Sequence, residues 1–223
     1  MSTSPFPWPL ERTTFPLGSH TVTLDRVADQ DALLEALLAK GSDHPDVRDE
    51  RVPYWGDLWP SGLGLARHLL ETDALRGLQR VHEIGCGIAL PGIVSGFAVP
   101  EVILSDYLED ALQLARHNWA LNHTQMVRTA QLDWREPDPL LAADLLLASD
   151  VAYEARSFGP LVKAFRTLCR PGGRILLAEP GRDRARPWLE NLGNEGFDVK
   201  VSQVQVNLRG LASSVNVLEL HPK

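Results

Sequence analysis

Two cysteines in 223 residues, Cys86 and Cys169, are too few for a disulfide framework, and neither belongs to a Cys-x-x-Cys pair. That scarcity fits a reducing compartment. No apolar run approaches the roughly 20 residues of a membrane span, and the first segment, MSTSPFPWPLER, has no apolar core of a signal peptide. Basic blocks are also missing. Lys and Arg number 22 against 29 Asp and Glu, for a net charge of −7, so the electrostatic footprint of duplex binding is absent. The seven histidines are scattered with no metal-ligand spacing, which argues against structural zinc. There is no internal repeat and no low-complexity tract. The expectation is a soluble, cytoplasmic monomer with neither a nucleic-acid nor a membrane partner. An acidic surface of this kind can still attract a basic protein.

What is present is a hydrophobic content of 44%, enough for one α/β domain with a full core. Residues 1–11 are Pro-rich and read as a frayed end. HTVTLDRV (20–27) alternates like a strand. DQDALLEALLAK (29–40) places Leu33, Leu34, Leu37 and Leu38 on one helical face, with Asp29 or Asp31 as cap. Residues 41–60 are charged, Pro-punctuated and aperiodic, which predicts a loop. SGLGLARHLLET (61–72) predicts a helix capped by Ser61.

From residue 80 the rhythm changes. Strand patterns at 80–85, 101–106, 127–134, 143–150 and 172–179 alternate with helical patterns at 90–98, 107–122, 157–169 and 185–196. Such alternation predicts βαβ units: an α/β, Rossmann-like, seven-stranded, mostly parallel sheet with helices on both faces. FDVKVSQVQV and SSVNVLEL have no helix between them and predict an antiparallel pair at one edge. Residues 1–60 read as an N-terminal extension of short strands, helix and loop, and 61–223 as the main domain.

The richest stretch is RVHEIGCGIALPG, 80–92. A parallel strand ends and a helix begins there, the place where open α/β sheets bind ligands. Gly85 and Gly87 permit positive φ and close approach of a ligand to the backbone, and the helix beyond offers free N–H groups. The dinucleotide fingerprint Gly-x-Gly-x-x-Gly fails, because Leu90 replaces the third glycine. Glu83 would repel a pyrophosphate but welcome a cation. Asp106, closing the next strand about 20 residues on, has the reach of an acid that bonds a ribose diol. A sulfonium with an adenosine tail, S-adenosyl-L-methionine, suits this set.

YWGDLWPSG, EIGCGIALPG, LDW and SDVAYE together resemble the class I, seven-strand S-adenosylmethionine-dependent methyltransferases, and within them the protein-lysine methyltransferase group, whose bacterial relatives are described as nicotinamide N-methylase-like. The resemblance covers roughly residues 52–182. It implies that Glu83, Gly85 and Gly87 line the methionine part of S-adenosyl-L-methionine. It further implies that Asp106 binds the ribose, and that Asp133 and Trp134, ending the third strand, border the adenine. Trp59 reaches the cofactor from the N-terminal segment, and Ser149 lies beside it at the end of the fourth strand. Asp150 and Tyr153 match an Asp-x-x-Tyr motif linked to holding the substrate amine. Ile88-Ala89 departs from the small polar or glycine residues of relatives.

Each side chain also has a structural alternative. Trp55 and Trp59 can plug the core, Trp134 can cover the sheet end, Asp150 can cap a turn and Tyr153 can simply pack. Cys86 reads as a packing residue. Glu179-Pro180-Gly181-Arg182 either borders the substrate cleft or is surface structure. The first expectation is methyl transfer to a lysine of a protein substrate, the second methyl transfer to a small amine or pyridine. An NAD-dependent oxidoreductase and a non-catalytic cofactor-binding domain remain as alternatives from other classes.

Overall fold

The computed structural model describes residues 6–223. Strands β1 (Leu10–Leu17) and β2 (His20–Val27) form a separate antiparallel hairpin. Gly18, at φ +59°, supplies the positive φ that its two-residue turn needs. This corrects the expectation of a frayed end over 1–11, of which residues 1–5 lie outside the described residues: Leu10 and Glu11 already pair with Val27 and Arg26.

Helix α1 (Gln30–Leu38) is capped by the Asp29 carboxylate, which accepts from the Ala32 amide, and it buries Leu33 and Leu37. The expected loop contains a short helix α2 (Pro45–Arg48) and a 3-10 turn at Tyr54–Gly56. Helix α3 (Pro60–Glu71) starts one residue earlier than predicted. Proline occupies its first turn, Trp59 the cap position, and Ser61 is buried inside rather than capping.

There follow β3 (Arg80–Ile84), α4 (Leu90–Ser95), β4 (Glu101–Asp106), α5 (Glu109–Ala120), β5 (Arg128–Gln131), β6 (Ala143–Ser149), α6 (Phe158–Leu168), β7 (Cys169–Glu179), α7 (Arg186–Asn191), β8 (Phe197–Leu208) and β9 (Leu211–Pro222). The seven strands from β3 onward make one sheet in the order β5-β4-β3-β6-β7-β9-β8. Pairs among β3–β7 are parallel, while β9 is antiparallel to both β7 and β8. The expected sheet is therefore present, with β9 inserted between β7 and the edge strand β8. No described helix is long and apolar enough to cross a membrane.

The period of two sorts the strand residues between two cores. Leu145, Leu147, Leu176 and Ala178 face the layer of α3, α4 and α5. Leu146, Ala148, Ile175 and Leu177 face the α6 and α7 layer with Phe165 and Trp188. Because β3 runs outward to β4 and β5 and the chain then returns to β6 on the other side, the order reverses between β3 and β6. A crevice is expected outside their carboxyl ends.

The hairpin docks on α5 through two amides. Asn118 accepts from the Asp25 amide (2.8 Å) and donates to the Asp25 carbonyl and to the Ile88 carbonyl. Asn122 makes the same two-way exchange with Thr23. On the side of β2 away from β1, where no described strand pairs with it, the N–H and C=O groups of Thr23 and Asp25 are thereby satisfied by side chains.

Candidate active site

A cavity of about 750 Å³ opens at the β3/β6 switch. Gly85, Gly87, Asp106, Asp133, Trp134, Ser149, Asp150, Tyr153 and Trp59 all line it, so the structure brings together nine of the ten residues singled out from the sequence. Glu83 is the exception. It sits buried beneath the turn, where Oε2 accepts from the Gly92 amide (2.8 Å) and Oε1 has no partner among the described residues. Burial, opposed by that amide and reinforced by the nearby Asp106 charge, pushes its carboxyl up to about 8. Glu83 is thus a buried support at the cavity's base and not part of its wall.

The turn itself is left-handed at Gly85 (φ +59°), Gly87 (φ +49°) and Ala89 (φ +64°). A Cβ on Gly85 would meet Val151 Cγ1 at 2.9 Å and the Trp134 ring at 3.3 Å, and one on Gly87 the Trp55 carbonyl at 3.2 Å. The glycines therefore admit protein neighbours as well as a ligand. Trp55 plugs the core on the edge of Trp8, as one sequence alternative held. Cys86 is buried, and burial raises its thiol, in keeping with a packing role.

Asp106, at the end of β4, accepts the Gly87 amide on Oδ2 (3.0 Å) and the Leu108 amide on Oδ1 (3.2 Å). Burial raises its carboxyl, against those amides. Each oxygen retains lone pairs. Asp133 and Trp134 do not end a strand as predicted, because β5 stops at Gln131. The Asp133 carboxylate takes the Arg135 amide and guanidinium and turns the chain there. Although burial acts the other way, Arg135 holds the Asp133 carboxyl below its usual range.

At the mouth, Trp59 donates from Nε1 to the Tyr54 carbonyl (2.8 Å) and stands edge-on to the Tyr54 ring, which stands edge-on to Tyr153. Trp59 is 37% exposed, so it is a rim residue and not a core plug. Burial first, then the Glu154 and Asp106 charges, pushes the Tyr153 phenol up to about 12. It stays neutral at any physiological pH. Asp150 is held left-handed (φ +57°), with its amide donating to the Ala178 carbonyl. Its Oδ1 accepts from Arg182 Nη1 at 2.5 Å, and Oδ2 is buried without a partner among the described residues.

Each carboxylate lining the cavity has at least one partner. Asp49 pairs with Arg51 and Arg135, Glu154 and Glu50 with Arg156, Asp57 with Arg209, Asp133 with Arg135, Asp150 with Arg182, and Asp106 with backbone amides. Apart from Arg182, sequence reasoning missed this arginine set, and it missed Asn118, which steadies the glycine turn through Ile88. For Asn118 a signal was available: it is an amide on the α5 face that buries Ala111, Leu114, Ala115 and Trp119. The cleft-bordering alternative for residues 179–182 is the observed one for Arg182.

Residues 50–193 match the family described as lysine methyltransferase. A relative from Xenopus laevis, histone-arginine methyltransferase METTL23, is 33% identical over 117 residues, covering 50% of this chain and 50% of that protein. The electron transfer flavoprotein beta subunit lysine methyltransferase of Xenopus laevis is 28% identical, covering 66% of this chain and 61% of that protein. The chain thus aligns with about half to two thirds of these relatives. Among solved structures, magnesium protoporphyrin IX methyltransferase from Synechocystis, with bound SAM, shares the fold (TM-score 0.57, 17% identity, 86% of this chain and 91% of that one).

The cavity fits S-adenosyl-L-methionine by its own chemistry. Its volume suits a cofactor of that size, the glycine turn exposes backbone, and Asp106 keeps acceptor capacity for a diol. The chain belongs to the family described as lysine methyltransferase, matched over residues 50–193, and has the seven-strand α/β fold.

Proposed function

We propose that the protein is an S-adenosyl-L-methionine-dependent N-methyltransferase acting on lysine side chains of a protein substrate. When bound, the cofactor supplies a methyl group already activated on a sulfonium. The protein's task is then to align the partners and exclude water. Asp106 would hold the ribose, Gly85 and Gly87 the methionine part over Glu83, and Trp134 the adenine, with the Asp133 backbone beside it. Ser149 would flank the cofactor at the end of β6, and Trp59 would close over it from the rim.

Asp150 and Tyr153 would receive the amine. A lysine with its ordinary pKa near 10.4 is charged at neutral pH, and entry into a closed cavity favours the neutral form that can attack. Asp150 orients the amine through a hydrogen bond. Tyr153, a neutral phenol, forms a wall and exchanges one hydrogen bond, and the proton leaves to solvent.

The observation that carries lysine over arginine is the engaged state of the cavity's carboxylates. A guanidinium presents five donors and calls for a free carboxylate fork, whereas Asp150 Oδ1 already serves Arg182. The names of the METTL23 relatives keep arginine as the second reading. We further take the protein as a monomer, and as cytoplasmic on the support of two free thiols, with residues 1–60 an extension that supports a catalytic domain over 61–223.

The test is incubation with methyl-labelled cofactor and a protein lysate from the protein's own source, followed by acid hydrolysis. Label in methyl-lysine supports the proposal. Label in methyl-arginine supports the second reading, and label confined to small molecules rejects both.

A further inference from the structure

We propose that Arg182 is a positioning residue that neutralises Asp150 and thereby lets the substrate amine be uncharged at the site. The inference rests on the lysine reading above. Asp150 is the acceptor that faces the amine, and a bare carboxylate there would work against the reaction, because an opposite charge within about 4–6 Å favours the ammonium form by about 1–3 pK units. An ammonium has no lone pair with which to attack. Arg182 resolves the conflict: its Nη1 lies 2.5 Å from Asp150 Oδ1, so the pair is nearly neutral as seen by a third group, while the carboxylate can still accept a hydrogen bond.

The position of Arg182 is built. Glu179, 2% exposed, accepts the Gly181 and Arg182 amides on Oε2 (2.9 and 3.1 Å) and the Asn216 side chain on Oε1 (2.8 Å). Gly181, at φ +85°, turns the chain back toward β6. Thus a buried carboxylate at the end of β7, held by β9, aims the guanidinium across to the end of β6.

The other carboxylates around the amine already have partners, and among the described residues Arg182 is the cation paired with Asp150. From the loop after β6, Glu154 pairs with Arg156. From the loop before α3, Asp49 pairs with Arg51. After β5, Asp133 pairs with Arg135. Asp106 is held by backbone amides, Tyr153 and Tyr54 are phenols, and Arg184 has no ion-pair partner among the described residues. Removing Arg182 would leave Asp150 as the unbalanced carboxylate beside the amine.

The experiment measures initial rates of label transfer into lysine of the same protein pool, blank-subtracted, from pH 6.5 to 9.5 for the wild type, Arg182→Gln and Arg182→Lys. Affinity for S-adenosylhomocysteine and thermal melts are recorded alongside. The expected result is that Arg182→Gln loses on the order of tenfold or more at pH 7, recovers toward the wild-type rate as pH rises, and keeps its cofactor-product affinity. Arg182→Lys should restore the wild-type pH profile. A loss by the same factor at every pH would overturn the inference, as would a faster Arg182→Gln, which would make Arg182 an obstacle. If Arg182→Gln fails to fold, a pH limb for Arg182→Lys displaced upward overturns the inference and a wild-type limb supports it. An inert wild type with intact cofactor-product binding would defeat the lysine reading itself, and this inference with it.

Discussion

The Gly87 amide donates to the Asp106 carboxylate across 3.0 Å, joining the turn after β3 to the end of β4. One contact thereby fixes both the bare backbone and the acid at the mouth of the crevice. It also shapes what each substitution in the cavity should do.

Asp150→Asn keeps the size of the side chain but removes its charge and leaves Arg182 without its counter-ion. Steady-state rates with labelled cofactor should fall at least about tenfold in kcat, while affinity for S-adenosylhomocysteine, measured by calorimetry, stays within about twofold. Equal turnover would remove Asp150 from the reaction. Lost cofactor affinity would move it to the cofactor site.

Glu83 gives a pH signature in stability. Its carboxyl rises from the usual 4.5 to about 8 on folding, so the folded protein holds a proton that the unfolded chain releases. The associated stability is complete below about pH 4.5 and is lost as pH climbs through 8. Glu83→Gln is neutral throughout. In urea unfolding without cofactor, the wild type should weaken relative to Glu83→Gln between pH 5 and pH 8.5. Parallel pH profiles for the two proteins would place the Glu83 carboxyl at its ordinary value.

Asn118→Ala deletes the acceptor of the Asp25 amide and the donor to the Asp25 and Ile88 carbonyls, all in a buried setting. Orphaned buried groups cost about 1–3 kcal/mol each, and partial relaxation of the hairpin puts the expected loss of unfolding free energy at about 2–4 kcal/mol by urea titration. A loss below about 0.5 kcal/mol would show that the hairpin is held by its apolar face alone.

The sheet was legible because its strands are short apolar runs between amphipathic helices, and Ile84, Ile103, Leu146 and Leu177 have nowhere to go but a core. The glycine-and-acid corner of the cavity was legible because Gly85, Gly87 and Asp106 lie within one β-turn-α-β unit, where sequence spacing determines spatial proximity. Glu83 was read as a wall residue because strand alternation does not reveal that Gly92 of α4 would claim its Oε2. The end of β5 was misplaced because a local Asp133–Arg135 turn overrides the apolar beat of Leu132. Ser61 lost the cap to Trp59 because Pro60 fits a first helical turn. The Arg182–Asp150 pair, 32 residues apart, and the Asn118–Asp25 pair, 93 apart, depend on how β7 and the hairpin dock, which no local pattern encodes.

The most direct measurement is a calorimetric titration of the wild type and of Asp106→Ala with S-adenosyl-L-methionine. The wild type should bind at a single site with a rise in melting temperature. Asp106→Ala should bind about 1.5–3 kcal/mol more weakly, the loss expected for hydrogen bonds to a charged group. No heat and no melting shift in the wild type would contradict the account at its root.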